Sequence, residues 1–167
     1  MSKKILNKKV DLLIMGGGPA GIAAGVMAYE YGLKNILFVD RNEYLGGILP
    51  QCIHDGFCLE ILKKSITGPE YAHHYIQKLK NSSISHWTGS MVISLNNKKE
   101  ALISNIDGLI LVKAKAIILS CGCREKSRGN LRLAGTRPAG IYTAGTAQHL
   151  INIKNYMPGK SVVILGS

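Results

Sequence analysis

Short apolar runs closed by glycines or polar turn residues alternate with amphipathic stretches along the first half of the chain. Residues 10–15 (VDLLIM) end in three glycines and read as a buried strand. Residues 19–31 follow as a helix, with Pro19 in its first turn and Gly32 at its C-terminal stop. Residues 35–40 (NILFVD) are a second buried strand, so the pattern predicts a βαβ crossover. A long Gly-containing loop with Pro50 spans 41–59. Thr67 and Glu70 then form a capping-box signature, with Tyr71, Ala72, Tyr75, Ile76 and Leu79 on one face of the helix it opens. From His86 the period shortens to two. HWTGSMVISL, EALISN and GLILVK, separated by turns near Asn96-Asn97 and Asp107-Gly108, predict a three-stranded antiparallel meander. Residues 116–119 (AIIL) read as a further buried strand. Residues 124–140 are polar and rich in Gly and Pro, 145–153 suit a helix, and 161–166 (SVVILG) read as a last apolar strand.

Chemistry enters at the first strand–helix junction. Gly16, Gly18 and Gly21 in Gly16-Gly17-Gly18-Pro19-Ala20-Gly21 make a G-x-G-x-x-G pattern in the strand-to-helix context a dinucleotide cradle requires. The first glycine permits the tight turn, the second lets backbone approach a pyrophosphate, and the third packs helix on strand. The helix start offers N–H groups and a positive dipole end to phosphates. Gly25 keeps the helix close to the sheet for another turn. Asp40, 19 positions beyond Gly21 at the end of the second strand, is placed to accept hydrogen bonds from ribose hydroxyls and would repel a 2′-phosphate. The bland alternative is a glycine-rich turn beside a solvated Asp. By itself this unit does not separate FAD from NAD.

Composition narrows the partners. The 167 residues are 46% hydrophobic, enough for one domain's core and little more. The formal net charge of +11 raises the question of nucleic acid, but the lysines are scattered and a single Trp is available to stack, so no nucleic-acid partner is expected. Asp11 and Gly16 interrupt the N-terminal apolar run before it reaches signal-peptide length, and no apolar run is long enough for a membrane span. Cys52, Cys58, Cys121 and Cys123 form neither a zinc pattern nor a secreted disulfide framework, so a cytoplasmic protein without a bound metal is expected.

Several stretches together resemble the two-dinucleotide-binding flavoprotein superfamily: Gly16 to Gly25, FVDR with Leu45-Gly46-Gly47, the meander, and AIILSCG. Residues 46–57 (GGILPQCIHDGF) and 137–148 (RPAGIYTAGTAQ) resemble one branch of it. That branch holds oxidoreductases akin to opine oxidase, sarcosine oxidase alpha and hydrogen cyanide synthase subunits. The resemblance implies an α/β, Rossmann-like FAD/NAD(P)-binding domain: a central parallel sheet, crossover helices and the meander. It also implies FAD in the first cradle, with Gly16, Gly18, Pro19, Ala20, Gly21, Asp40 and Arg41 around it and Gly46-Gly47 by its ribityl-pyrophosphate arm. Val92 falls where a strand residue contacts adenine through its backbone. Ser120-Cys121-Gly122 stands where these proteins usually have Ala-Thr-Gly.

The resemblance also bears on mechanism. Ala144 and Ala147 occupy positions where thioredoxin-reductase-like relatives carry C-x-x-C, and five residues between Cys52 and Cys58 break the C-x4-C spacing of glutathione-reductase-like ones. A redox-active disulfide is therefore not expected. Cys52 and His54, on the loop that passes the isoalloxazine in the family, are the candidates for touching a small-molecule substrate, against the bland reading of a partly buried thiol and a hydrogen-bonded imidazole. The expected organisation is an FAD-binding segment over 1–124, a connector over 125–160 and the start of a second, NAD(P)-binding domain at 161–167. The chain is thus expected to be a fragment or one piece of an assembly, using NAD(P)H only where that second domain is supplied. The function implied is an FAD-dependent oxidoreductase; the alternative is a non-catalytic FAD-binding or electron-relay subunit that needs a partner chain.

Overall fold

The computed structural model describes residues 6–136 and 138–166. Arg137, which opens the second family-like stretch, and Ser167 lie outside them. The elements run β1 (Leu6–Met15), α1 (Pro19–Glu30), β2 (Ile36–Val39), α2 (Leu59–Leu62), α3 (Gly68–Lys80), β3 (Ser85–Trp87), β4 (Met91–Leu95), β5 (Glu100–Asn105), β6 (Gly108–Leu119) and α4 (Ala144–Asn152). Six strands form one sheet in the order β3-β2-β1-β6-β5-β4. β1 pairs in parallel with β2 and β6, and β2 with β3, whereas β4, β5 and β6 pair antiparallel.

The apolar runs of β1 and β2 have no polar face because both sides of the sheet are covered. On one side Leu12 and Ile14 of β1 and Ile36 and Phe38 of β2 pack with Ile22 and Val26 of α1, Leu79 of α3 and Ile84. On the other, Leu13, Met15, Leu37 and Val39 meet Ala101 and Ile103 of β5 and Ile110, Val112 and Ala114 of β6. The meander strands thus share a second core cluster with β1 and β2. α1 lies close on the sheet because Gly25 faces the Phe38 ring, where a Cβ would collide with it. The helix ends as expected at Gly32, φ +99°, whose N–H donates to the Tyr29 carbonyl while that of Leu33 donates to Ala28. α3 starts at the expected capping box: Thr67 accepts from the Glu70 N–H and Glu70 accepts from the Thr67 N–H at 2.8 Å.

Three expectations change. HWTGSMVISL is not one strand: Ser85–Trp87 adds to β2 in parallel, and the chain then crosses to the far edge of the sheet to begin β4. The cause is long-range, since Trp87 accepts from the Asp40 N–H and Ser90 donates to the Asp40 carbonyl, both at 2.9 Å. GLILVK and AIIL are not separate strands either. β6 runs unbroken for 12 residues, paired with β1 along residues 110–119 and with β5 along 108–113, with Lys113 and Lys115 on exposed positions. Ala116 and Leu119 are exposed rather than buried. Last, the apolar residues after Ser161 belong to no strand among the described residues; Val162, Val163, Ile164 and Leu165 are each at least 76% exposed.

Candidate dinucleotide site

The turn after β1 is built from main-chain contacts too close for side chains. Gly16 has φ +109° and donates its N–H to the Val39 carbonyl at 2.9 Å. Ser120, at the end of β6, donates its N–H to Met15 O at 2.8 Å, and its hydroxyl lies 3.0 and 2.9 Å from Met15 O and Gly16 O. A Cβ on Gly16 would enter the Ser120 carbonyl, and one on Gly21 would enter the Gly16 carbonyl. Gly18 is the extended N-cap of α1 and supplies no side-chain cap. Among the described residues, the N–H groups of Gly18, Ala20 and Gly21 meet no protein acceptor, and Pro19 has none to offer. Three donors are therefore left without a protein acceptor at the positive end of a helix.

Asp40 is buried, at 8% exposure, and does more than the sequence suggested. Its Oδ2 accepts from the Gly17 N–H at 2.7 Å and its Oδ1 from the Asn42 N–H at 2.8 Å. The carboxylate thus ties the end of β2 to the glycine turn, and each oxygen keeps a lone pair for a further donor. Arg41 beside it is exposed. Val92 is half-buried on β4 against the meander-side core, two residues beyond the Ser90–Asp40 bond. A groove of about 830 Å³, lined by Glu43, Trp87, Ser90, Met91, Asn105 and Asp107 among others, opens along this crossover.

The paired glycines close the other side of the turn. Gly46 (φ +110°) donates its N–H to Gly17 O at 2.7 Å, and a Cβ on Gly47 (φ +61°) would come within 2.9 Å of the Gly18 Cα. A 3-10 turn over Leu49–Gln51 then leads to Cys52, whose half-buried thiol lies 3.5 Å from the Ile48 carbonyl and is pushed up in pKa by burial. His54 is exposed, with Nδ1 3.0 Å from the Asp55 carbonyl and its ring 5.1 Å from that of Phe57. The structure gives Cys52 and His54 separate partners rather than joining them as a pair. Phe57 stacks at 6.3 Å on Tyr71, whose hydroxyl is pushed up to about 12 by burial and by Tyr75. Cys121 and Gly122 (φ +65°) are exposed on the turn after Ser120, with the Cys121 Sγ 3.4 Å from Met15 O.

The helix expected over 145–153 is present as α4, but the sequence reading missed the bonds that dock it. Glu125 accepts from the Gly145 N–H with both carboxylate oxygens, at 2.8 and 2.9 Å, across the N-terminus of α4. The Thr143 hydroxyl and the Gly145 N–H hold its carboxyl below the ordinary glutamate range. Gln51 donates to Gly145 O at 3.2 Å and to Gln148 Oε1 at 2.9 Å, and Asn152 donates to Gln51 O at 2.7 Å. The one available signal was Thr143, an N-cap followed by no acidic residue in the first turn. Among the described residues no three His, Cys, Asp or Glu side chains converge as metal ligands, and no helix is long and apolar enough to cross a membrane.

Comparison with known proteins gives this geometry a context. The family model described as FAD dependent oxidoreductase matches residues 11–114. The chain is 28% identical to an opine oxidase subunit of Rhizobium meliloti, over 96% of this chain and 31% of that one. It is 26% identical to hydrogen cyanide synthase subunit HcnB of Pseudomonas protegens, over 93% and 33%. Among solved structures, the L-proline dehydrogenase of P. horikoshii superposes on 95% of this chain and 31% of its own. That match has a TM-score of 0.75 at 21% identity and shows a shared fold. The chain spans about a third of the length of these relatives.

Proposed function

Because this chain belongs to the FAD dependent oxidoreductase family, we propose that it binds FAD at the glycine turn and serves hydride exchange between FAD and NAD(P)H or a small amine or hydroxy substrate, without a redox-active disulfide. The observation that carries this reading is the set of free N–H groups on Gly18, Ala20 and Gly21, walled by backbone from Gly47 and by the Asp40 carboxylate. Gly16 shapes the turn, and the donors beside Pro19 take the pyrophosphate. Asp40 offers its remaining lone pairs to ribose hydroxyls, with Arg41 exposed alongside. The backbone near Val92 and the groove by Trp87 take the adenine end. Gly46-Gly47 and Ser120-Cys121-Gly122 border the flavin end. FAD supplies the two-electron chemistry when bound; the protein holds and orients it. Cys52 and His54 are candidates for substrate contact only.

In this reading residues 1–124 are the FAD-binding segment, and 161–167 begin a second domain that would bring NAD(P)H. Residues 125–160 join the two but are not a passive linker, because α4 is bonded to the loop after Gly47. A second reading is an FAD-binding or electron-relay subunit that depends on a partner chain. It is favoured by the word "subunit" in two of the relatives' names. Titration with FAD followed by gel filtration tests the binding: the protein should elute yellow, and a colourless peak with no fluorescence quenching of added FAD would overturn it. Flavin bleaching by NADH, measured without and with a candidate partner, separates enzyme from relay.

A further inference from the structure

Besides the Phe57–Ile66 bridge and the Gly56–Ser65 bond at its far end, the loop that carries Cys52 and His54 is held at three places. Near its start Gly46 donates to Gly17 O in the glycine turn. In its middle Gly68 of α3 donates to Cys52 O at 2.9 Å, so close that a Cβ on Gly68 would press on the Cys52 and Leu49 carbonyls at 2.5 Å. The third hold comes from a part of the chain about a hundred positions away. Gln51 is gripped on both its side chain and its main chain, by Gly145 and Gln148 on one hand and Asn152 on the other.

These bonds fix each other's direction. The Gly145 carbonyl only accepts, so the Gln51 amide must turn its NH₂ toward α4, and Gln148 must then present its oxygen. α4 is in turn anchored at its N-terminus by Glu125, five residues beyond Ser120. A closed frame results: glycine turn, loop, α4, Glu125, and back to Ser120 on the glycine turn.

Resting on the flavin reading above, we propose that Gln51 is a positioning residue: its clasp with Gly145, Gln148 and Asn152 sets the Cys52–His54 loop against the FAD site and makes α4 a wall of that site. Loss of the clasp frees the loop on the α4 side only, since the Gly46 and Gly68 holds persist.

Gln51→Glu is the sharper test than Gln51→Ala, because it keeps shape but points an oxygen at the Gly145 carbonyl; Asn152→Ala removes the main-chain grip separately. The first readout needs no FAD: site-resolved alkylation of Cys52, followed by peptide mass. All three variants should speed alkylation of Cys52 about tenfold, the effect of one modest hydrogen bond, while Cys58 stays at its wild-type rate. The second readout is the visible circular dichroism of bound FAD, which should change in the variants while the melting temperature falls by no more than about 2–6 °C. A Cys52 rate that does not move, or that rises together with that of Cys58, overturns the clasp. An unchanged flavin spectrum in variants whose Cys52 is faster overturns the role of α4 as a wall. Wild-type protein that takes up no FAD overturns the flavin reading, and the alkylation arm still decides the clasp.

Discussion

Gly21 lies where a methyl group would run into the Gly16 carbonyl and the Ser120 hydroxyl, both parts of the fixed turn. Gly21→Ala should therefore cost about 1–3 kcal/mol of stability, the range for forced overpacking, and lower FAD affinity with it. Gly129, which has ordinary φ and only the Ser127 hydroxyl at 3.9 Å, provides the control: Gly129→Ala should leave urea denaturation and FAD titration unchanged. The glycine spacing made this position legible in the sequence, because only a dinucleotide cradle asks for glycine there for packing reasons. Asp40 was half legible. Its place at the end of β2 was evident, but its bonds to Gly17 and Asn42 were not, since they depend on how closely the two strand ends approach. Gln51 was illegible: a glutamine in a loop has no pattern, and its partners lie on an element whose docking the sequence does not announce.

At the scale of elements, the capping box of α3 was read correctly because all its information is local. Thr67→Ala should lower the melting temperature by about 3 °C, the loss expected for one N-cap in a domain of this size. The effect is pH-dependent. Bonds from the Thr67 N–H and hydroxyl hold the Glu70 carboxyl below the ordinary glutamate range. A depressed carboxyl stabilises fully above its unfolded pKa and loses that contribution as pH falls through the folded one. The gap in melting temperature between wild type and Thr67→Ala should thus narrow in acid; a gap that is constant with pH would count against the box. The strands were read less well. Alternation told that residues 86–95 were β, but not that the main chain of Asp40 captures Trp87 and Ser90 and splits the run in two. GLILVK and AIIL read as two strands and are one, with Lys113 and Lys115 on its exposed face.

For the whole molecule, the two core clusters followed from the two apolar faces of β1 and β2, which require cover on both sides. What the sequence did not reveal is how much apolar surface stays open. Val163 is 97% exposed and Ile164 83%. Contiguous apolar residues of this kind promote association, so Val163→Lys with Ile164→Lys should reduce light scattering in concentrated solution without moving the melting temperature. A drop in melting temperature would show instead that these residues pack. The long β6 has a consequence of another kind, in time rather than space. β1 leaves the ribosome well before β6, its neighbour on one side, and Gly16 waits for Ser120, 104 positions later. Until then the nascent β1–α1–β2 unit carries an unpaired central edge and lacks its meander cover. Folding of this chain is governed by one late, long-range closure, which makes it slow for its size and places its greatest risk of aggregation during synthesis.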